Sequence, residues 1–222
     1  MNHTTRRLFL GQAVAFTSIV TLPLESVAMA RPRVEDKGKG SLFDQMRWFN
    51  DPASARRSGG QLLVVSRPKT DFWRKTFYGY VTDSGHFFYI PVQGDFTFQA
   101  RVAGHYAALY DQAGLMARVD ASNWLKCGIE LVDGIGHASV VVTRDFSDWS
   151  TIRGVSAQSP LCWKMMRKGD SLEVLYSLDG KAYTSVRLGY LPLPASLNVG
   201  VMCAAPEGPG FESTFDDVQL TR

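Results

Sequence analysis

The sequence has few cysteines, little net charge and no long apolar segment, and each shortage argues against a class of protein. Only three of its 222 residues are cysteine, an odd number that cannot pair completely, so a disulfide-stapled scaffold is not expected. The formal net charge of +3 gives no support to nucleic-acid binding. No cysteine and histidine spacing typical of zinc sites and no glycine-rich phosphate loop occurs. We therefore predict no metal, no cofactor and no nucleic-acid partner, and leave calcium binding open.

The three cysteines are expected to be free thiols inside strands. Cys127 falls at an apolar position of an alternating segment, and Cys162 and Cys203 lie in similar segments. A Cys162–Cys203 bridge is the alternative, which the sequence does not decide.

The N-terminal segment has the features of an export signal, in the expected order. Arg6 and Arg7 resemble the twin-arginine motif, a short and mildly apolar run follows over residues 8–24, and Ala28-Met29-Ala30 has the form of a signal-peptidase site. The run is too short and too weakly apolar for a permanent membrane anchor. The order predicts a twin-arginine signal peptide over residues 1–30, a linker over 31–40 and a folded domain over 41–222. It also predicts the twin-arginine translocase as a partner during export and a periplasmic or extracellular location.

Three consecutive segments in the middle of the chain alternate between apolar and other residues. They run over Gln112–Val119, Trp124–Leu131 and His137–Thr143, and a period of two is typical of β-strands with one buried face. One face is apolar, as at Leu115 and Ile129, and is expected to form the core. The other, which we call the outer face, carries an unusual mixture: Gln112, Gly114, Met116, Arg118, Trp124, Lys126, Gly128 and Glu130.

The register of these strands follows from their faces, because a slip of one residue would bury the charged side chains. Asp133-Gly134 predicts a two-residue hairpin turn between the second and third strands. The predicted pairs are Gln112–Glu130, Gly114–Gly128, Met116–Lys126, Arg118–Trp124, Glu130–His137, Gly128–Ser139 and Lys126–Val141. The pairing predicts a hollow floored by Gly114, Gly128 and Ser139, where a ligand could lie; the alternative is that these glycines only relieve sheet curvature.

About a dozen short strands, with no helical period after residue 40, predict an all-β, two-sheet antiparallel sandwich. Eight of the 18 residues from Phe72 to Tyr89 are aromatic, and Trp73, flanked by basic residues, is the one expected at the surface. Residues 144–160, which include Asp145 and Trp149, are expected to form a loop.

Several segments resemble the regulation-of-enolase-protein family, whose many bacterial members are known only as a domain of unknown function. The resemblance covers residues ~42–220 and rests on the runs Thr70–Thr76, Tyr110–Met116, Lys126–Glu130, Thr143–Ser150, Tyr176–Gly180 and Met202–Ala204. It implies a concanavalin A-like jelly-roll sandwich, a fold shared with lectins, glucanases and polysaccharide lyases. It implies no particular reaction. His137 stands where many members carry a bulky aromatic residue.

The outer face and its neighbouring aromatic residues favour binding of a glycan or another small polar ligand. Polar side chains would hydrogen-bond sugar hydroxyls and aromatic rings would stack on the sugar. The candidate ligand-binding residues are Gln112, Gly114, Lys126, Gly128, Glu130, Arg118, Trp124, Trp73, Asp145 and Trp149.

Four other hypotheses stay open. A glycoside hydrolase needs two carboxyl groups, and Glu130 is the only one on the outer face of the central strands. A polysaccharide lyase could draw on Gln112, His137 and Arg118. A protein-interaction module is suggested only by the family name, and a purely structural face is the simplest possibility. If the protein is an enzyme, Glu130 and His137 are the catalytic candidates.

Overall fold

The computed structural model describes residues 41–222, and these residues form a sandwich of two antiparallel sheets. The predicted all-β, two-sheet antiparallel jelly-roll sandwich is confirmed. The export features at Arg6, Arg7, Ala28 and Ala30, and the linker, lie outside the described residues. Within residues 41–222, no helix has the length and hydropathy that crossing a membrane requires.

A short 3-10 helix, Leu42–Gln45, precedes the sheets. The first sheet contains seven strands, in spatial order β1 (Arg47–Phe49), β6 (His86–Gln93), β15 (Ser196–Ala204), β8 (Gln112–Arg118), β9 (Asn123–Val132), β10 (Ile135–Arg144) and β11 (Phe146–Arg153). The second sheet also has seven, in the order β14 (Thr184–Tyr190), β13 (Ser171–Ser177), β12 (Leu161–Lys168), β7 (Phe96–Gly104), β16 (Glu212–Thr221), β3 (Gln61–Val65) and β2 (Ser54–Ser58). Two short strands, β4 (Phe72–Arg74) and β5 (Val81–Asp83), pair only with each other.

The main core lies between the two sheets, where alternate residues of each strand point inwards. Leu115, Ile129 and Val140 of the first sheet are no more than 1% exposed, and Phe98 and Trp163 of the second sheet are fully buried. The apolar face predicted for the central strands is therefore the core face.

The predicted register of the central strands is confirmed throughout. The observed pairs include Gln112–Glu130, Gly114–Gly128, Met116–Lys126, Arg118–Trp124, Glu130–His137, Gly128–Ser139 and Lys126–Val141. The alternation of buried and outer residues thus determines the pairing, because a slip of one residue would have pointed the charged side chains into the core.

The loop predicted over residues 144–160 is wrong in its first half. Phe146–Arg153 forms the edge strand β11, which pairs with β10 along its whole length. Its residues are mostly exposed, so the segment lacks the alternation by which buried strands are recognised in a sequence. The strand matters for function because it places Trp149 beside the outer face.

All three cysteines, Cys127, Cys162 and Cys203, are free thiols, so the alternative Cys162–Cys203 bridge is absent. Cys127 and Cys203 are buried, which raises the pKa of each thiol to about 12 and keeps both protonated at neutral pH.

Candidate functional site

A hairpin formed by β4 and β5, residues 72–83, lies over part of the outer face and turns it into a second, smaller core. We call this segment the covering hairpin. Its Phe72 is fully buried and lies 6.2 Å from Trp124, measured between ring centroids. The buried members of this second core are Phe72, Trp73, Phe87, Met116, Trp124, Val141 and Met202. The mixture of residues on the outer face is thus explained in part by burial under the covering hairpin.

Two cations of the outer face hold the covering hairpin in place. The Arg118 guanidinium donates to both carboxylate oxygens of Asp83, at 2.9 and 2.7 Å. Lys126 Nζ donates to the carbonyl oxygen of Phe72 at 2.7 Å. Arg118 was a candidate ligand-binding residue, but it is 7% exposed and both of its terminal nitrogens contact Asp83. Its position fits a structural role.

Asp145, another candidate, also contacts the covering hairpin. Its carboxylate accepts from Arg74 Nη2 at 2.7 Å and from Lys75 Nζ at 2.6 Å. The hydrogen bond from Lys75, followed by that from Arg74, lowers the pKa of Asp145 below its ordinary value. The backbone N–H of Arg74 donates to Ser147 Oγ at 2.9 Å, so β4 is attached to β11 on this side.

The predicted hollow at Gly114 and Gly128 is wrong as a ligand site. A Cβ built on Gly128 would collide with the carbonyl oxygen of Ala113, and one on Gly114 would collide with that of Cys127. The two glycines therefore allow the backbones of β8 and β9 to approach each other closely. The gap that remains beside Gly128 and Ser139 has a volume of about 10 Å³, room for no more than one water molecule.

A different space opens where the covering hairpin ends. We call it the polar cavity; it has a volume of about 30 Å³ and a polar floor under an aromatic mouth. Its lining consists of Asp71, Trp73, Tyr78, Tyr80, Tyr110, Gln112, Lys126, Glu130 and Trp149.

Glu130 is the most deeply buried carboxyl group in this lining, at 7% exposed. Its Oε2 accepts from Ser139 Oγ at 2.6 Å and from the indole N–H of Trp149 at 2.9 Å. Burial raises the pKa of Glu130, while Lys126 and the hydrogen bond from Ser139 act in the opposite direction. No hydrogen bond to its Oε1 is found within residues 41–222, so this oxygen is the one available to a ligand.

Asp71 organises the rest of the polar floor. Its Oδ1 accepts from the backbone N–H of Phe72 at 2.7 Å, from Lys126 Nζ at 3.1 Å and from Gln112 Nε2 at 3.3 Å. Gln112 also donates to the carbonyl of Tyr110 at 3.2 Å, so its amide nitrogen is engaged by protein while its amide oxygen is not. The floor therefore presents fixed acceptors and one ammonium group.

A larger open groove adjoins the polar cavity and shares Trp73, Tyr78 and Trp149 with it. We call it the aromatic groove; its volume is about 660 Å³. Phe77 and Phe146, which also line it, are 92% and 58% exposed. The complete lining is Trp73, Thr76, Phe77, Tyr78, Val142, Arg144, Phe146, Ser147, Asp148 and Trp149.

The rings around both spaces hold one another in position. Trp149 meets Tyr110 edge to face at 6.4 Å, and Trp73 meets Tyr78 in the same way at 5.6 Å. The hydroxyls of Tyr78 and Tyr110 lie 3.2 Å apart and link the covering hairpin to the sheet; this hydrogen bond is the main cause that raises the pKa of Tyr110 to about 12.

The structure brings five of the predicted residues together around the polar cavity: Gln112, Lys126, Glu130, Trp73 and Trp149. Trp73, expected at the surface, is only 8% exposed, because its ring packs into the second core and its N–H donates to the carbonyl of Thr76. Trp124 is 1% exposed and lies in the second core, so its ring face is not available for stacking.

His137 lies opposite Glu130 in the register but lines neither space. Its Nδ1 is buried and has no hydrogen-bond partner within residues 41–222. Gln112 and Arg118, the other two residues considered for a lyase, stand at opposite ends of β8. No arrangement of the three around one ligand group is present.

Sequence reasoning did not select Asp71, Tyr78, Tyr80 or Tyr110. The only signal for Tyr78 and Tyr80 is the aromatic-rich segment of residues 72–89, in which the flanking basic residues favour Trp73 as the exposed ring. Tyr110 and Asp71 lie within the runs that carry the family resemblance, but nothing in the sequence shows that a hairpin folds back onto the outer face.

Comparison with known proteins gives one relative of high similarity and several structures of the same fold. The relative, Regulation of enolase protein 1 of Saccharomyces cerevisiae, is 41% identical over 186 residues, which are 83% of this chain and 93% of that protein. The crystal structure of a functionally unknown protein from the same yeast has a TM-score of 0.77 at 40% identity and covers 81% of this chain and 97% of that one.

More distant structures share the fold alone. The carbohydrate-binding module CBM66 from Bacillus subtilis has a TM-score of 0.53 at 10% identity, covering 79% of this chain and 95% of that one. Glycoside hydrolases are also among these neighbours; a GH43 protein from Bacillus licheniformis has a TM-score of 0.58 at 16% identity, but only 36% of its chain is covered.

The yeast relatives contradict the predicted location. Saccharomyces cerevisiae is a eukaryote and has no periplasm served by a twin-arginine translocase, so the periplasmic or extracellular location is wrong. The family itself is established by two independent matches: the relative above, and the sequence profile of the family described as Protein of unknown function (DUF1349), which matches residues 48–222. The chain therefore belongs to the DUF1349 family.

Proposed function

We propose that this protein binds a glycan in the aromatic groove, with one polar group of the ligand reaching into the polar cavity. The observation that carries the proposal is the position of Trp149 between the two spaces. Its indole N–H donates to Glu130 Oε2 and to Ser139 Oγ, both at 2.9 Å, while the residue remains 38% exposed. A ring fixed in this way offers a stacking face without losing side-chain entropy on binding.

The sizes of the two spaces suggest how a ligand would divide between them. Ligand pockets usually measure about 300–1,000 Å³, a range that includes the groove at about 660 Å³. The polar cavity, at about 30 Å³, has room for one small group or one or two waters. The body of the ligand therefore belongs in the groove.

The floor of the cavity is suited to hydroxyl groups. Glu130 Oε1 and the amide oxygen of Gln112 are acceptors without a protein partner in the described residues, and Lys126 Nζ makes two of the three hydrogen bonds that an ammonium can donate. A sugar hydroxyl both donates and accepts, so it can satisfy such a mixed set.

The fold supports the same proposal by analogy, because CBM66 is by its name a carbohydrate-binding module. We also propose that the fold is of the concanavalin A-like type, as the sequence resemblance implies. We propose too that the family has bacterial members. A shared fold alone would not support glycan binding. The specific support is the set of aromatic side chains that line the aromatic groove.

A glycan-array screen of the full chain, followed by calorimetry on any ligand found, tests the proposal. Trp149→Ala should weaken binding by at least about tenfold, since it removes the stacking face. Trp149→Phe, which keeps a ring, should retain more of the affinity. Tyr183→Ala, which removes a half-buried ring outside the groove, is the control. No glycan bound by the wild-type protein, or equal binding by Trp149→Ala, would refute the proposal.

A second candidate, glycoside hydrolysis, is favoured by one observation. Asp71 and Glu130 line the same cavity, and their environments differ: burial raises the pKa of Glu130, whereas Asp71 pairs with Lys126. Two carboxyl groups in one site are what glycoside hydrolysis usually requires. The small cavity weighs against it, because a sugar ring must reach both groups. A product assay on each bound glycan decides: hydrolysis that Glu130→Gln removes without loss of binding would establish the enzyme.

A further inference from the structure

We propose that the glycan bound in the aromatic groove is acidic, and that Arg144 binds a carboxylate of its uronic-acid units. This inference rests on the proposed glycan-binding function and adds the ligand's chemical class. Within residues 41–222, Arg144 is the one cationic side chain in the lining of the groove.

Arg144 is the last residue of β10 and lines the groove next to Phe146, its partner across the β10–β11 turn; by strand alternation it lies on the side of the sheet that carries Val140 and Val142, towards the second sheet. The residue is exposed, and within residues 41–222 its guanidinium has no hydrogen-bond or ion-pair partner. It lies 5.6 Å from the centroid of the Tyr190 ring. Stacking on an aromatic face leaves the N–H edge of a guanidinium free, and that edge matches a carboxylate with two parallel hydrogen bonds.

The charges around the groove favour an anion. Asp145 is already paired with Arg74 and Lys75, and Asp148 with Arg187 at 2.8 Å. Both acids near the groove thus have cationic partners, which leaves Arg144 without an acid of its own. The groove, the cations paired with its acids and the adjoining polar cavity together carry five cations and four anions: Arg74, Lys75, Lys126, Arg144 and Arg187 against Asp71, Glu130, Asp145 and Asp148. A neutral glycan would leave this excess uncompensated, whereas a carboxylate-bearing glycan would offset part of it.

The aromatic lining is compatible with an acidic sugar. Phe146 and Trp149 flank the groove on β11, and Lys75 Nζ lies 4.9 Å from the Phe146 ring centroid. A uronic acid has the same ring faces as a neutral hexose and differs at one exocyclic carbon. Stacking can therefore position the ring while Arg144 selects the carboxylate.

The test compares each acidic probe with its own neutral form. Oligogalacturonate and mannuronate oligomers are titrated into the full chain beside the same oligomers after reduction of their carboxyl groups to alcohols. We expect the acidic form to bind about tenfold more tightly at low salt, the usual gain from a hydrogen bond to a charged group. Arg144→Gln should abolish this preference and leave the affinity for the reduced form unchanged.

Arg153→Gln is the matched control, because Arg153 lies on β11, is exposed and does not line the groove. It removes the same charge and should keep the preference. If wild type binds reduced and acidic forms equally, the acidic class is wrong while glycan binding stands. A preference for sulfated over carboxylated oligomers, or one that survives Arg144→Gln, would overturn the assignment to a carboxylate at Arg144. If no glycan binds, both proposals fail together.

Discussion

The two ends of the outer face carry similar residues but have opposite surroundings. At one end Met116, Arg118 and Trp124 lie beneath the covering hairpin, and Arg118 is neutralised by Asp83. At the other end Glu130 and Trp149 face the polar cavity. Each end combines a charged side chain with an aromatic one, so residue type alone does not separate them.

The difference is made by what the covering hairpin brings to each end. At the end that carries Arg118 and Trp124, which we call the sealed end, the hairpin places Phe72 and Asp83. Phe72 fills the space above Trp124, and Asp83 accepts the hydrogen bonds of the Arg118 guanidinium. At the end that carries Glu130, which we call the open end, the hairpin places Tyr78 and Tyr80, which are 42% and 48% exposed. The polar cavity lies beneath these two rings. A mixed polar and aromatic face can thus be structural or ligand-accessible according to one added hairpin.

The largest expected effect concerns the centre of the face, between the two ends. Gly128→Ala should destabilise the fold by more than about 4 kcal/mol, an exceptional value for one substitution, because its Cβ would collide with the backbone of Ala113, which cannot move without disturbing the sheet. Chemical denaturation measures the change.

Gly189→Ala is the control, since a Cβ there meets the Val142 side chain at 3.2 Å rather than backbone. A stable Gly128→Ala protein would show that β8 and β9 can separate, and would restore the ligand hollow at this point.

Replacing the tryptophan at each end tests the comparison directly. Trp124→Ala should cost about 3–5 kcal/mol, the range for a buried aromatic side chain, whereas Trp149→Ala should cost about 1–2 kcal/mol through loss of the indole N–H that Glu130 and Ser139 share. Unfolding curves give both values. If Trp149→Ala proves as destabilising as Trp124→Ala, the open end is part of the core and the distinction fails.

The sheet itself could be predicted because its determinants are local. Alternation assigns the faces of β8 and β9, and Asp133-Gly134 assigns the turn before β10. From these the pairing of Glu130 with Gln112 and with His137 follows by counting. Nothing distant in the chain can change it without burying charge.

The site could not be predicted to the same extent, because it depends on contacts between distant segments. Asp71 reaches Lys126 across 55 positions of sequence, and Arg74 reaches Asp145 across 71. The alternation of apolar and polar residues along a strand carries no information about contacts between distant segments. The exposed edge strand that carries Trp149 likewise lacks a buried face, which is the feature that alternation detects.

The salt bridge between Arg118 and Asp83 should have a smaller but measurable effect at the sealed end. A double-mutant cycle with alanine at both positions should give a coupling energy of about 1–3 kcal/mol, because the pair is bidentate and its arginine is buried. The exposed pair Arg57–Asp44 is the matched control and should give less than about 1 kcal/mol. Equal coupling energies would mean that the bridge does not help to close the hairpin.

The smallest expected effect is a pH dependence at the open end. Burial raises the pKa of Glu130 above its ordinary value of 4.5, so the folded protein holds this proton more tightly than the unfolded chain does. The resulting stabilisation is complete below the unfolded pKa and is lost as the pH rises through the folded pKa. Wild type should therefore lose stability over this window relative to Glu130→Gln, whose amide oxygen can still accept from Ser139 and Trp149.

Urea unfolding of both proteins between pH 4 and pH 8 measures the difference. Glu173→Gln is the matched control, because it removes the same charge from the second sheet, where Glu173 accepts one hydroxyl hydrogen bond from Ser185. A Glu130→Gln difference that stays constant across the range would mean that Glu130 is as well solvated in the fold as in the unfolded chain. In that case the open end would be an ordinary wet surface, and the contrast with the sealed end would be one of degree.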